Sequence, residues 1–361
     1  MRCIAVFALL ALVCINASAA EKSLSGRELI ERYGLQESAT PAREHPGWRK
    51  PRKMIVGGMG AGALQSLRAM TNEVEFVPPT ADLAQVDAIL GFCSGDLMAA
   101  GSAIRWVHSL SAGVEDCVSI PAFRERNILL TNAQRITGPV ISEHVIAMML
   151  ALTRGLDLHM AAQHEQSWGG GSMSRRPVTI SGKTLLVVGL GGIGTDVAQR
   201  AHALGMKVIA TRNSKREGPP FVSYVGLSDE LHKLAREADV VVNTAPLTKE
   251  TTGLFDAAFF SNMKPTGYFI NVARGASVDT PALVDALNKR QIAGAGLDVT
   301  EPEPLPASHA LWKAPNVIIT PHVSNDSELG IQVRIDVLKE NVRRYIAGDK
   351  LLSVVEVRRG Y

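Results

Sequence analysis

A glycine-rich turn between an apolar strand and a helix constrains the fold of this chain more than any other feature. The predicted strand Thr184–Val188 runs directly into residues 189–194, where a predicted helix begins. In a G-x-G-x-x-G turn the first glycine allows the tight turn, the second lets a diphosphate approach the backbone, and the last lets helix and strand pack closely. The helix N-terminus adds free N–H groups. The turn therefore predicts a dinucleotide site with these contacts: Gly189, Gly191, Gly192, Ile193 and Gly194.

The end of the next predicted strand, Lys207–Ala210, indicates which dinucleotide binds. An acidic residue at this place usually holds the ribose 2′-hydroxyl of NAD. Here the segment reads Arg212-Asn213-Ser214-Lys215, which brings cations and a hydroxyl where a 2′-phosphate would lie. The loop favours NADP, with NAD possible, and the alternative is an ordinary solvated basic loop.

The chain on either side of the turn alternates short apolar strands with helical patterns, which is typical of parallel α/β sheets. The first series has predicted strands at Lys53–Val56, Val74–Val77, Ala88–Phe92, Arg105–Leu110 and Ile128–Thr131. The second has strands at Thr184–Val188, Lys207–Ala210, Val240–Thr244, Tyr268–Val272, Ala295–Val299 and Val317–Ile319, and helices at Ile193–Leu204, Asp229–Ala238 and Pro281–Arg290. Two series predict two sheets and two domains.

We expect an α/β fold of two doubly wound domains, in which a Rossmann dinucleotide-binding domain is inserted in a flavodoxin-like substrate domain. The Rossmann domain is assigned residues 133–325, and the substrate domain residues 52–132 and 326–361. One long apolar helix is predicted over Ile141–Leu158. An amphipathic helix from about Leu329 to Ile346 is expected to cross back onto the substrate domain.

The N-terminus has a different composition from the rest of the chain. Arg2, an apolar run from Ile4 to Ile15 and a small-residue pattern at 17–19 predict a signal peptide that is cleaved after about residue 19. The apolar run is shorter than the roughly 20 residues that span a bilayer, so no stable membrane span is expected after cleavage. We therefore expect an exported protein, periplasmic in a Gram-negative host. Residues 20–51 are predicted to form a polar arm or linker.

Charge and cysteine content narrow the possible partners. The 38 basic and 35 acidic side chains leave a formal charge of +3, and no basic block suggests nucleic acid as a partner. Beyond the signal only Cys93 and Cys117 remain; they can bridge in an oxidising compartment, but we favour two buried free thiols. No Cys/His cluster has zinc spacing, so we infer no metal.

Four segments of the chain resemble the D-isomer-specific 2-hydroxyacid dehydrogenases, closest in style to glyoxylate and hydroxypyruvate reductases. The resemblance spans about Lys53 to Ile346. It rests on Val188–Gly194, Thr244–Gly253, Asn271-Val272-Ala273-Arg274-Gly275, and Leu297–Pro304 with Pro321-His322-Val323-Ser324. It implies a homodimer that transfers a hydride between NADP(H) and a small 2-oxo acid or D-2-hydroxy acid.

The resemblance also implies three catalytic residues, each with suitable chemistry. Arg274 would bind the substrate, because its planar guanidinium suits a 2-oxo carboxylate. His322 would be the acid/base, since an imidazole titrates near neutral pH. Glu303 would accept a hydrogen bond from that imidazole and fix its tautomer. Glu301 is a rival for this role, but the family spacing from Asp298 selects Glu303.

Further contacts follow from the resemblance. The backbone N–H groups of Ala112 and Gly113 would hold the substrate carboxylate, although Glu115 stands where the family usually has Asp. The nicotinamide and ribose side would be lined by Thr244, Pro246, Ala273 and Asp298, and Thr251 would also bind the cofactor. Two alternatives stay open: a phosphite-type dehydrogenase on the same scaffold, and a non-catalytic dinucleotide-sensing protein.

Overall fold

The computed structural model describes residues 23–83, 85–168, 177–213 and 215–358, so the expected signal peptide and Ser214 lie outside the described residues. One sheet has five parallel strands in the order β2-β1-β3-β4-β5, the flavodoxin-like order of a doubly wound fold. Its strands are β1 (Lys53–Val56), β2 (Glu75–Val77), β3 (Val86–Gly91), β4 (Trp106–Ser109) and β5 (Leu129–Thr131). Helices in this first part are α1 (Gly26–Tyr33), α2 (Ala61–Met70), α3 (Gly95–Ala100), α4 (Glu115–Val118) and α5 (Ala122–Glu125).

The second sheet has seven parallel strands in the order β12-β11-β10-β9-β6-β7-β8, which contains the Rossmann order extended by one strand. Its strands are β6 (Thr184–Val188), β7 (Lys207–Thr211), β8 (Tyr224–Gly226), β9 (Val240–Asn243), β10 (Tyr268–Asn271), β11 (Gly294–Leu297) and β12 (Val317–Ile319). The remaining helices are α6 (Gly138–Arg154), α7 (Leu156–His164), α8 (Gly192–Ala203), α9 (Leu231–Glu237), α10 (Ala257–Asn262), α11 (Thr280–Asn288) and α12 (Glu328–Ala347). The expected fold class is confirmed.

The single helix predicted over Ile141–Leu158 is wrong. The structure ends α6 at Arg154, because Gly155 takes the left-handed conformation (φ 66°, ψ 30°) that caps helix C-termini, and α7 starts after it. The two helices meet at 73°. Strand β8 and helix α10 were not predicted, since each is short and lacks a clear apolar period.

The polar segment before the first sheet is a packed arm rather than a linker. Leu29 on α1 is fully buried against Val333 and Val337 of α12. The hydroxyl of Ser23 donates to Asp336, also on α12, at 2.6 Å. Sequence periodicity did not reveal this packing, because the partner helix lies some three hundred residues further along the chain.

The two remaining cysteines form a disulfide, which corrects the expectation of free thiols. Cys93 follows β3 and Cys117 lies on α4, and their Cα atoms are 5.4 Å apart, within the range that a disulfide bridges. The residues are 24 positions apart in sequence, and only the parallel sheet brings the two segments together.

Within the described residues, no single helix has the length and apolarity needed to cross a membrane. The bent pair α6 and α7 passes the same test only when the two helices are taken together.

Candidate active site

The glycine turn connects the carboxyl end of β6 to the N-terminus of α8. Gly189 has a φ of 93°, and a Cβ there would stand 2.7 Å from the Cα of Ala245. A Cβ on Gly194 would stand 2.3 Å from the carbonyl oxygen of Gly189. A Cβ on Gly191 would meet no atom within 4 Å, which leaves open space where a diphosphate is expected. The turn therefore fits a dinucleotide, and Ile193 packs its side chain on the core beneath it.

Two threonines predicted to contact the cofactor hold loops in place. Thr244 Oγ1 donates to the carbonyl oxygens of Val188 (3.2 Å) and Gly189 (2.8 Å), and so fixes the glycine turn. Thr251 Oγ1 donates to the carbonyl oxygen of Pro246 at 2.7 Å. These bonds shape the walls of the cleft, and direct contact of Thr244, Pro246 and Thr251 with a cofactor stays a prediction.

The basic loop follows β7, next to the glycine turn in the sheet. Arg212 is partly exposed, and its Nη1 donates to the carbonyl oxygen of Glu217 at 2.8 Å. Lys215 is exposed and lies 3.3 Å from a carboxylate oxygen of the same Glu217. Asn213 is also exposed. The loop places two cations after β7, whereas Ser214 lies outside the described residues.

Arg274 follows β10 and reaches across to the other sheet. Its Nη2 donates to a carboxylate oxygen of Glu115 at 3.0 Å, and its Nη1 donates to the carbonyl oxygen of Ala273 at 2.7 Å. Glu115 begins α4, a helix that packs on the five-stranded sheet. This ion pair therefore joins the segment after β10 of the seven-stranded sheet to the part of the chain around the five-stranded sheet. Both side chains are about one-third exposed (31% and 30%), which leaves the guanidinium open to an anion.

A buried amide network that the sequence analysis missed fixes the loop of Arg274. Asn243 Nδ2 donates to Asn271 Oδ1 at 3.0 Å and to Ser277 Oγ at 2.9 Å. Asn271 Nδ2 and Ser277 Oγ in turn donate to the carbonyl oxygen of Arg274, at 2.9 and 2.7 Å. The signal was present in the sequence, because Asn243 and Asn271 each end an apolar strand and the two strands are neighbours.

His322 and Glu303 form the predicted pair. The Nδ1 atom of His322 lies 2.5 Å from Glu303 Oε1, after the carboxyl ends of β12 and β11. Since an ionised carboxylate only accepts hydrogen bonds, Nδ1 carries the proton and Nε2 remains for a substrate. His322 has a φ of 56°, which is unusual for a residue other than glycine and common at functional sites.

Asp298 lies beneath this pair and organises the loop that carries His322. Its buried carboxylate accepts from Thr320 Oγ1 (2.6 Å) and from the backbone N–H groups of Val323 and Ser324 (both 3.0 Å). Burial alone would raise the pKa of Asp298, but these hydrogen bonds outweigh it and lower the pKa below its ordinary value. The carboxylate also lies 3.8 Å from Nε2 of His144 on α6, and the expected contact of Asp298 with the nicotinamide side stays a prediction.

The predicted substrate loop follows β4. The carbonyl oxygen of Ala112 accepts from the side-chain amide of Asn132 at 2.6 Å, which orients the peptide between Ala112 and Gly113. A Cβ on Gly113 would stand 1.5 Å from Nη2 of Arg274. The structure therefore places the predicted backbone donors directly against the predicted substrate arginine.

A buried hydroxyl beside the glycine turn was also missed. Thr137 stands at the N-cap position of α6 without making a side-chain capping bond; it is 2% exposed, and in the described part of the chain its Oγ1 has no hydrogen-bond partner. The next residue, Gly138, lies close to the carbonyl oxygen of Gly192. A buried hydroxyl without a partner at this point is available to hydrogen-bond a bound cofactor.

Comparison with known proteins agrees with this geometry. Residues 146–324 match the model of the D-isomer specific 2-hydroxyacid dehydrogenase NAD binding domain. The glycerate dehydrogenase of Methylorubrum extorquens is 34% identical over 254 residues, which is 69% of this chain and 78% of that protein.

Two solved structures are similar over nearly their whole length. A D-isomer specific 2-hydroxyacid dehydrogenase from Xanthobacter autotrophicus, in complex with NADPH and MES, has a TM-score of 0.75 and 27% identity, over 87% of this chain and all of that one. An NADPH-dependent glyoxylate/hydroxypyruvate reductase from Sinorhizobium meliloti, in complex with NADP and malonate, has a TM-score of 0.74 and 28% identity, over 86% and 98%. This chain therefore belongs to the D-isomer specific 2-hydroxyacid dehydrogenase family.

Proposed function

We propose that this enzyme is an NADP(H)-dependent reductase of a small 2-oxo acid, and that it catalyses the same type of reaction as the glyoxylate/hydroxypyruvate reductases. One observation carries the proposal: Arg274 and the His322–Glu303 pair follow the carboxyl ends of the neighbouring strands β10, β11 and β12. This is the edge at which doubly wound sheets bind their ligands, and the glycine turn opens at the same edge. An anion receptor and a proton donor are thus brought beside a dinucleotide site.

The chemistry divides between these side chains. Arg274 binds the carboxylate of the 2-oxo acid and polarises its ketone, with the N–H groups of Ala112 and Gly113 as further donors. When bound, the cofactor supplies the hydride. His322 gives the proton from Nε2 to the new hydroxyl oxygen, while Glu303 keeps Nδ1 protonated and stabilises the imidazolium. Hydride and proton together convert the ketone to a hydroxyl group.

The test of the function is an assay of the purified protein with NADPH and a panel of glyoxylate, hydroxypyruvate, pyruvate and bulkier 2-oxo acids. Arg274→Ala and His322→Ala should each lower turnover by at least about a hundredfold, because each removes a group that acts on the transition state. Arg27→Ala is the matched control, since that arginine pairs with Glu31 on the exposed face of α1. Near-parental turnover in either site variant would contradict the assigned role.

The same assay separates the alternatives. Reduction of NADP⁺ by phosphite, without turnover of any 2-oxo acid, would favour a phosphite-type dehydrogenase. Tight NADPH binding without any turnover would favour a dinucleotide-sensing protein.

We further propose that Arg212 selects NADP over NAD. The argument is its position after β7, together with the similarity to the NADPH-dependent structures. A charge-assisted hydrogen bond to the 2′-phosphate would contribute on the order of 1.5–3 kcal/mol, or roughly ten- to a hundredfold in affinity. The parent should show the higher kcat/KM with NADPH, and Arg212→Asp should lose most of that preference. Equal use of both cofactors by the parent would mean that Arg212 faces solvent and does not contact the 2′-phosphate.

We also propose the export and the domain boundaries that the sequence predicts. Residues 1–19 would be removed, and residues 133–325 would form the cofactor domain within a substrate domain of residues 52–132 and 326–361. N-terminal sequencing of the protein from its host, after separation of periplasm and cytoplasm, tests the first point. An intact Met1 in the cytoplasmic fraction would refute it.

A homodimer would bury an apolar surface on α7. None of the residues of this helix is buried, and Leu156 (47%), Met160 (69%) and the nearby Trp168 are exposed. Exposed apolar patches of this kind often mark interfaces. Light scattering should show a dimer that Met160→Asp weakens. Ile331→Asp, on the exposed face of α12, is the control and should leave the mass unchanged.

A further inference from the structure

Arg135 is held in an unusual conformation where the chain crosses from the first sheet to the second. Its φ is 72°, in the left-handed region that a non-glycine residue adopts only when its surroundings demand it. The buried Asn132 fixes this turn, because its Oδ1 accepts from the N–H of Gln134 at 3.3 Å while its Nδ2 donates to the carbonyl oxygen of Ala112 at 2.6 Å. The turn thus ties the substrate loop to Arg135.

Arg135 packs directly on the glycine turn. A Cβ on Gly192 would stand 3.1 Å from Cγ of Arg135 and 3.2 Å from its Cα. Gly192 stands at one of the variable positions of G-x-G-x-x-G, so the motif itself does not require a glycine there. The absence of a side chain at 192 therefore makes room for the arginine, at the N-terminus of α8.

The guanidinium of Arg135 is available for a ligand. The residue is exposed, and in residues 23–83, 85–168, 177–213 and 215–358 no hydrogen bond or ion pair engages it. Its Nη1 lies 3.8 Å from the point where a Cβ on Gly34 would stand, at the C-terminal end of α1. The Cγ of Arg135 lies against Gly192 at the N-terminus of α8, so the guanidinium can reach an anionic group bound there by turning about its own side-chain bonds.

We propose that Arg135 binds the diphosphate of the cofactor, so that two arginines divide the anionic groups of NADPH between them: Arg135 takes the diphosphate and Arg212 the 2′-phosphate. The inference rests on the proposed NADP(H) site. It gives the turn from Asn132 to Arg135 a role in cofactor binding, because this turn brings a positively charged side chain that the glycine motif itself lacks.

Three ligands separate the two arginines: NADPH carries both groups, ADP-ribose only the diphosphate, and adenosine 2′-phosphate only the 2′-phosphate. Their dissociation constants are measured by the fluorescence of bound NADPH, with the other two ligands as competitors. Arg135→Gly should weaken NADPH and ADP-ribose by about ten- to a hundredfold and change adenosine 2′-phosphate by less than about twofold. Arg212→Ala, the matched control, should weaken NADPH and adenosine 2′-phosphate and change ADP-ribose by less than about twofold. Arg135→Lys should fall between parent and glycine variant.

The glycine variant also guards against misfolding. Because glycine adopts positive φ without strain, Arg135→Gly should keep or raise the Tm. If the guanidinium instead stabilises α1 by interacting with the carbonyl groups at its C-terminus, the variant lowers the Tm and leaves the ADP-ribose affinity unchanged. That result would overturn the inference. If the parent binds NADPH but Arg135→Gly binds ADP-ribose as well as the parent does, only this inference fails. If the parent binds neither NADPH nor ADP-ribose, the proposed function fails as well.

A double-mutant cycle tests the packing directly. Gly192→Ala should push Arg135 away and weaken ADP-ribose binding in the parent background. The same change should cost less in the Arg135→Gly background, since the contacts with Cβ and Cγ are gone and only the contact with the Cα at 3.2 Å remains. Equal losses in both backgrounds would show that Gly192 acts independently of Arg135, against the proposal.

Discussion

The two sheets bury different kinds of polar side chain. The five-stranded sheet buries a titratable imidazole, His108, and is braced by the Cys93–Cys117 disulfide. The seven-stranded sheet buries the neutral amides of Asn243 and Asn271, which change neither with pH nor with reductant. The five-stranded sheet is therefore expected to respond to reductant and to mildly acidic pH, while the seven-stranded sheet should respond only to stronger acid, through Asp298. Peptide-resolved hydrogen exchange can follow the two sheets separately.

The largest expected difference comes from the disulfide. Replacing Cys93 and Cys117 by Ala should destabilise the substrate side by about 3.5 kcal/mol, the loop-closure value for a separation of 24 residues. Because Cys117 lies two residues beyond Glu115, the partner of Arg274, the KM for the 2-oxo acid should rise while the Kd of NADPH stays near that of the parent. Reduction of the parent with a thiol is the second measurement. An equal loss of exchange protection in both sheets would break the comparison.

The counterpart on the cofactor side is Asp298→Asn. Both carboxylate oxygens of Asp298 now accept hydrogen bonds, and in the variant an NH₂ group would replace one of them and face a hydrogen-bond donor. The loop of His322 should therefore lose about 2–3 kcal/mol of stability. Turnover should fall with it, and exchange should rise over residues 320–324 and not in the five-stranded sheet. Protection unchanged in that loop would show that the carboxylate is not its anchor.

Acid should affect the two sheets at different pH. Burial lowers the pKa of His108 from 6.5 to about 3, so the unfolded chain binds a proton that the folded one does not, and stability falls as the pH drops from about 6.5 toward 3. The slope is up to about 1.4 kcal/mol per pH unit. For Asp298 the lowered pKa gives stability that is complete above about pH 3.9 and lost only as the pH falls through the folded value.

The measurement is chemical denaturation between pH 4 and 7. His108→Phe should flatten the pH dependence of the substrate side, because the phenyl ring does not titrate. The same slope in parent and variant would mean that another group is responsible, and the comparison would have to be redrawn.

The sequence predicted those parts of the site that are fixed locally. The glycine turn follows from its own spacing, whereas Arg274, Glu303 and His322 were implied by the resemblance of their segments to the D-isomer-specific 2-hydroxyacid dehydrogenases. It did not predict the disulfide or the burial of Leu29, because both depend on segments that only the folded chain brings together. The break at Gly155 was visible in the sequence but was outweighed by the apolar run around it.

Roles within the site were harder to predict than positions. Thr244 and Thr251 were expected to contact the cofactor; the hydroxyl of each donates to a backbone carbonyl, and their contact with the cofactor stays a prediction. A hydroxyl in a motif does not reveal whether its nearest acceptor is a ligand or the chain itself, and this depends on loop geometry that sequence spacing leaves open.

The contact between Gly113 and Arg274 has a consequence for genetic selection. A Cβ at position 113 would overlap the tip of a flexible side chain rather than the backbone, so the chain can fold around it by letting the arginine swing aside. A saturation library screened for soluble protein would then return many amino acids at this position. A library screened for growth that depends on the enzyme forming its hydroxy acid product would return glycine alone. Sequencing the two pools would locate, by the gap between them, a position that the fold tolerates and the activity does not.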